Sequence, residues 1–184
     1  MPDRLIELIS SDQNAISALK AVRDAGPDGA YIAAGFIRNR YWDSLYGQQV
    51  SWPDVDIDVV YFDASDVSKS SERGFEARLE ALLPTGIWQV RNQARMHAFG
   101  NHPPFGGIED ALSHWSETAT AVGLKMRENE NLEVIAPFGL DDLYGHILRI
   151  TPSMKQHDPE GFNTRLAAKG WRERWPDLSV IGAN

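Results

Sequence analysis

Residues 31–63 read YIAAGFIRNRYWDSLYGQQVSWPDVDIDVVYFD, and this stretch decides the fold. Tyr31 to Ala34 is a short apolar run that stops at Gly35, where a turn lets the backbone pass close to a ligand before a helix begins. Ile57 to Phe62 is nearly continuous Ile, Val, Tyr and Phe around Asp58, the pattern of a strand covered on both faces. Asp54, Asp56 and Asp58 stand at its entrance. Residues two apart on a strand point to the same side, so the three carboxylates can line up on one face, opposite Val55 and Ile57. Pro53 lacks an amide donor and favours the start of a strand, which leaves Asp54 in the incoming loop and Asp56 and Asp58 as the well-placed pair. Two ionised carboxylates a few ångströms apart repel unless a cation lies between them. A hard divalent ion, Mg2+ or Mn2+, suits oxygen donors that leave room for phosphate and water.

Around that core the chain reads as alternating helices and strands within one domain, residues 1–184. The divisions are N-terminal helices at 2–25, a core at about 30–152 and a C-terminal helix at about 160–175. Leu5, Ile6, Leu8 and Ile9, then Ile16, Leu19, Ala21 and Val22, recur at helical spacing, with an N-cap in the SSDQN segment between them and Gly26-Pro27 closing the pair. A helix from Phe36 to about Tyr46 aims its amino end, with its free amides and dipole, at whatever the turn approaches. Ser70 or Ser71 is the expected cap of a helix from Glu72 to Leu83, and a strand follows at Ile87 to Val90. Strand, helix, strand makes a crossover, right-handed if the strands are parallel. Further elements are expected at 108–115 (helix), 132–136 (strand), 139–142 (turn or short helix) and 145–150 (strand). On the last helix Phe162, Leu166, Trp171 and Trp175 read as the buried side, and Arg165, Lys169, Arg172 and Arg174 as a face for solvent or a partner.

Five segments carry a resemblance: AGFIRN with WD (34–43), DVDIDVVYFD (54–63), WQVRNQARMH (88–97), ETATAVG (117–123) and APFGLDDL (136–143). Together they resemble a bacterial group of small nucleotidyltransferase-like proteins, within the superfamily that includes polymerase beta and the antibiotic-modifying and tRNA-tailing enzymes. The resemblance implies a minimal nucleotidyltransferase fold, α/β (α+β), a mixed sheet flanked by helices. It implies transfer of a nucleoside monophosphate from a nucleoside triphosphate to an acceptor hydroxyl, with Asp56 and Asp58 as the metal-holding catalytic pair. Ala34 and Gly35 stand where such enzymes have Gly-Ser or Gly-Gly against the triphosphate, so the usual serine hydroxyl is missing. Arg38 is read either as a phosphate ligand or as half of a structural ion pair, and Asn39 as a neighbour that binds phosphate or braces the turn.

The superfamily's third carboxylate, on the strand after the crossover, has no counterpart in Ile87-Trp88-Gln89-Val90-Arg91-Asn92, since amides and guanidinium cannot take a proton at neutral pH. Asn92 or Gln93 are candidates for weak ligation, Arg95 and His97 for phosphate or base contacts, and Glu117, Asp141 or Asp142 for an acid folding back into the site. The missing acid also supports a rival from another class, a catalytically inactive nucleotide-binding or regulatory module on the same fold.

Composition sets outer bounds. In 184 residues, 42% are hydrophobic and 24% charged, as in an ordinary globular chain. The absence of cysteine removes disulfides and thiolate chemistry and accords with an expected cytoplasmic location; no apolar run is long enough for a membrane span. A net charge of −8 argues against a general phosphate-backbone binder and for discrete substrates.

Overall fold

The computed structural model describes residues 3–48 and 55–182; Pro53 and Asp54 lie outside the described residues. Five strands form one sheet in the order β3-β2-β1-β4-β5. They are β1 (Tyr31–Ala33), β2 (Asp56–Tyr61), β3 (Ile87–Asn92), β4 (Gly123–Met126) and β5 (Leu132–Ile135). Only β2 and β3 run parallel, and the other pairings are antiparallel. The expected mixed sheet flanked by helices is therefore present.

Alternation along the strands divides the protein. Ile32, Ile57, Val59, Tyr61, Val90 and Leu124 face a main core with Leu5, Ile9, Leu19, Val22 and Leu79 from the helices α1 (Asp3–Ser11), α2 (Gln13–Ala25) and α4 (Lys69–Leu82). The residues between them, Tyr31, Ala33 and Val60, face a smaller cluster with Leu112 and Ala121. Burial of this apolar area is the main stabilising term. Asp56 and Asp58 belong to the second face, at the end of β2 where that smaller cluster stops.

Caps explain the helix boundaries. The Asp12 carboxylate accepts from the Asn14 and Ala15 amides and starts α2, as the SSDQN segment predicted. The crossover helix α4 is capped by Ser68 rather than by Ser70 or Ser71. Helix α3 (Gly35–Leu45) follows β1 directly, and α5 (Ile108–Ser113) covers the smaller cluster.

The expected continuous helix over 160–175 is broken. It consists of α8 (Pro159–Ala168) and α9 (Trp171–Arg174), separated at Gly170, whose φ of 59° is left-handed. That conformation is cheap only for glycine, and it turns Trp171 and Trp175 into the main core. Before them come α6 (Asp141–Tyr144), β6 (Ile147–Arg149) and α7 (Pro152–His157). After them a last strand, β7 (Ser179–Ile181), pairs in parallel with β6. The polar SVIG ending carries too short an apolar run for its periodicity to announce that strand.

Candidate active site

Asp56 and Asp58 stand on one face of β2, with Asp58 in register between Ala33 of β1 and Gln89 of β3. Ala33 leads straight into the Ala34-Gly35 turn, so strand pairing brings the carboxylate pair beside the amino end of α3. The turn differs from the expected one. Ala34, not Gly35, takes the positive φ, at 58° with ψ −134°, a conformation that glycine adopts without steric cost. Gly35 is already the first helical residue.

Burial first, and the Asp56 carboxylate second, push the Asp58 carboxyl above its ordinary range, against a smaller pull from Arg91, Arg165 and Arg38. A cation between the two carboxylates would relieve that repulsion. Among the described residues no group of three or more histidine or carboxylate side chains closes into a metal site. Two hard oxygen donors with open coordination on the remaining sides fit Mg2+ or Mn2+, ions that complete their shells with phosphate and water.

Two neighbouring cavities share the pair as a wall. The smaller, about 380 Å3, is lined by Ala34, Gly35, Arg38, Asn39, Arg165 and Arg174 as well as Asp56 and Asp58. Arg38 is only 4% exposed, and burial pushes it down to about 10. It donates to Thr120 Oγ1 at 2.6 Å and to Asn39 Oδ1 at 2.9 Å, with its guanidinium 4.6 Å from the Trp171 ring centre. Among the described residues no carboxylate lies within ion-pair distance of it. Among the described residues Arg38 is thus a buried, stacked cation with no counter-charge in contact, rather than half of an ion pair.

Arg165, Lys169 and Arg174 belong to the face that the sequence assigns to solvent or a partner, and they line the smaller cavity. Arg165 donates to Glu117 Oε1 at 2.7 Å, and Arg174 to both oxygens of Asp43. These two pairs fold the basic side of the C-terminal segment over the carboxylates. The available signal was the aromatic stripe itself: burying Trp175 against Trp42 of α3 draws the preceding Arg174 to the same edge.

The larger cavity, about 610 Å3, is lined by Asp56, Asp58, Gln89, Gln93, Glu117 and Thr120, among others. Glu117 therefore does reach the site from the ETATAVG segment. Thr118 turns away, donating to Asp142 Oδ2, which in turn holds Arg149. The auxiliary places given to Asn92 and Arg95 are corrected. Asn92 is fully buried and its side chain bridges the carbonyls of Asp63 and Asp66, while Arg95 forms a two-pronged pair with Glu72. His97 bonds the Ala94 carbonyl, and Asp141 is exposed. Gln93 lines the cavity, but its Oε1 is taken by the Trp115 indole.

This sheet, with its carboxylate pair on a central strand beside a helix amino end, defines the class of nucleotidyltransferase head domains. Comparison places the chain within it. A family model described as nucleotidyltransferase matches residues 20–180, and the chain belongs to that family. A solved structure described as revealing a CCA-adding enzyme head domain is 31% identical, covering 98% of this chain and 95% of the other, with a TM-score of 0.86. The fold also resembles the Thermotoga maritima CCA-adding enzyme complexed with tRNA, with 18% identity, 95% of this chain covered and a TM-score of 0.56. A CCA-adding enzyme in complex with CTP gives 17%, 95% and 0.58. The chain spans 41% and 42% of those two enzymes. No protein of curated function matches it. Among the described residues no helix is long and apolar enough to cross a membrane.

Proposed function

We propose that the protein transfers a nucleoside monophosphate from a nucleoside triphosphate to an acceptor hydroxyl, with Asp56 and Asp58 holding a divalent metal, Mg2+ or Mn2+. The observation that carries this reading is the shared wall: one carboxylate pair borders a cationic cavity on one side and a larger, mostly uncharged one on the other. Two substrates, one in each cavity, meet there. Triphosphate binds in the smaller cavity, where Arg38 supplies a buried cation and Arg165, Lys169 and Arg174 complete the ring. Gly35, the first residue of α3, lines the same space, and the helix amino end adds dipolar attraction. The acceptor oxygen attacks the α-phosphorus, the bond to the β-phosphate bridge breaks, pyrophosphate departs, and the acceptor proton passes to solvent. A bound divalent ion supplies charge stabilisation for the entering and leaving oxygens. The chain's own task is alignment and neutralisation, which dominate phosphoryl transfer.

Calorimetry with ATP and CTP, with and without Mg2+, on wild type and on Asp56→Asn, Asp58→Asn tests this. Metal-dependent binding in wild type, lost in the double variant while the protein stays folded, is the expected result. Binding that ignores both metal and variant would overturn the site.

One observation favours a second reading. Gln89 lies opposite Asp58 on β3, where an amide cannot act as a base. A nucleotide-binding module without turnover would bind the triphosphate with metal but release no pyrophosphate in an acceptor screen. The tRNA of the Thermotoga enzyme belongs to a protein more than twice this length, so the acceptor must be sought independently.

A further inference from the structure

The larger cavity has a far wall that phosphate chemistry does not use. It is made by Phe99, His102, Phe105, His114 and Trp115, from the end of the 3-10 helix Gln93–Phe99 after β3, the loop behind it and the turn that closes α5. The Phe105 ring lies 4.8 Å from that of His114 with 28° between planes, and His102 is 4.4 Å from His114. Burial, with help from His114 and His157, lowers the His102 pKa and so favours a neutral, stackable ring. The Trp115 indole is fixed by its bond to Gln93 Oε1 at 3.2 Å. Among the described residues Arg165 and Lys169 are this cavity's only arginine or lysine, and both also line the smaller one. The far wall therefore offers flat faces without the repeated basic groups that a polynucleotide backbone needs.

A second observation points to what the flat faces meet. Glu117 is fully buried in the same cavity wall, and among the described residues its Oε2 has no hydrogen-bond partner while Oε1 is taken by Arg165. A buried acceptor atom left unpaired is unfavourable, and a donor brought by a ligand would satisfy it.

We propose that this cavity seats the planar heteroaromatic ring of a small, uncharged acceptor, of nucleoside size, with a ring or amino N–H donated to Glu117 Oε2. The volume is that of a small-molecule site rather than a chain-binding groove. Stacking on the aromatic wall orients the ring, and the acceptor hydroxyl then extends toward Asp56 and Asp58. This inference rests on the transfer reading only in naming the ring as the acceptor's.

The test is an NMR titration with adenosine and cytidine as probes and ribose as the non-aromatic control, followed by ATP with Mg2+ on the same sample. Both nucleosides should shift the Trp115 indole and the His102 and His114 ring resonances, and ribose should not. Phe105→Ala should weaken nucleoside binding about tenfold and leave the ATP Kd within about twofold. Phe99→Ala, at a side chain 72% exposed, is the variant that cannot disturb the core, and it should weaken the nucleosides in the same direction. Glu117→Gln should weaken them as well. Absence of shifts, or equal shifts with ribose, would overturn the ring site. Competitive displacement of the nucleosides by ATP would overturn it as an acceptor site, because the ring would then be the nucleotide's own base. Nucleoside binding without ATP binding would keep the ring site and defeat the transfer reading alone.

Discussion

Arg174 grips Asp43 with two hydrogen bonds, Nε to Oδ1 at 3.0 Å and Nη2 to Oδ2 at 2.6 Å, while Trp175 Nε1 donates to the same Oδ1 at 2.9 Å. Asp43 is 1% exposed, so the C-terminal segment is pinned to α3 by a carboxylate that water cannot serve. Removing Arg174 leaves that charge half-paired in the interior, whereas Asp43→Asn keeps an acceptor for Trp175. Arg174→Ala should therefore cost about 3 kcal/mol and Asp43→Asn only about 1–2 kcal/mol in urea unfolding. Equal costs would show that the indole bond, not the charge, holds the segment.

The pin also explains what could be read in advance. The shared face of Asp56 and Asp58 on β2, the helix that follows β1 and the parallel crossover follow from local patterns, period two for β2 and apolar periodicity for the helices, and match expectation; the turn at Ala34 and the cap at Ser68 do not. Placement of Arg165, Lys169 and Arg174 does not follow. It depends on the left-handed Gly170 and on Glu117 and Asp43, partners 48 and 131 residues away from Arg165 and Arg174 respectively, and no spacing rule carries contacts of that range. The same holds for Glu117, which only the fold distinguishes from a helix cap, and for the aromatic wall, whose members come from three separate segments.

Ala34 and Gly35 exchange the roles their residue types suggest. Ala34 holds φ at 58°, so Ala34→Gly should relieve strain and raise stability by about 1 kcal/mol after glycine's entropic cost. At Gly35 an added Cβ would meet Asn39 Nδ2 at 3.5 Å and Arg38 Nη2 at 3.7 Å, ordinary contacts, but it would project among residues that line the smaller cavity. Gly35→Ala should melt within about 2 °C of wild type, on the scale of a small stability change, and bind ATP weakly. A large loss of stability with unchanged binding would place the conformational demand at Gly35 after all.

Glu133 on β5 sits far from this chemistry and gives a clean acid transition. The Tyr31 hydroxyl, and then Lys125 and Arg127, hold its carboxyl down from 4.5 to about 2. A depressed carboxyl stabilises the folded state above its unfolded pKa and loses that contribution as pH falls toward the folded one. Between pH 4.5 and about 2 wild type should lose about 1–2 kcal/mol that Glu133→Gln never had, the partly exposed partners limiting the size. Thermal melts across that range, wild type against variant, measure the difference; parallel curves would remove Glu133 from the account.

Arg38 decides whether the smaller cavity is a phosphate site or a structural recess. Its fork is held by Thr120 and Asn39 and its face by Trp171, so a lysine keeps the charge but loses the stack and the fixed donors. Arg38→Lys should cost about 1–2 kcal/mol of stability from the lost cation–π and hydrogen-bond contacts. If the guanidinium also faces triphosphate, ATP affinity should fall about tenfold further, because bidentate geometry cannot be recovered by a point charge. Calorimetry at a temperature where both proteins are fully folded separates the two effects. A lower melting temperature with an unchanged ATP Kd would make Arg38 a brace for the tryptophans and move the phosphate site toward Arg165, Lys169 and Arg174.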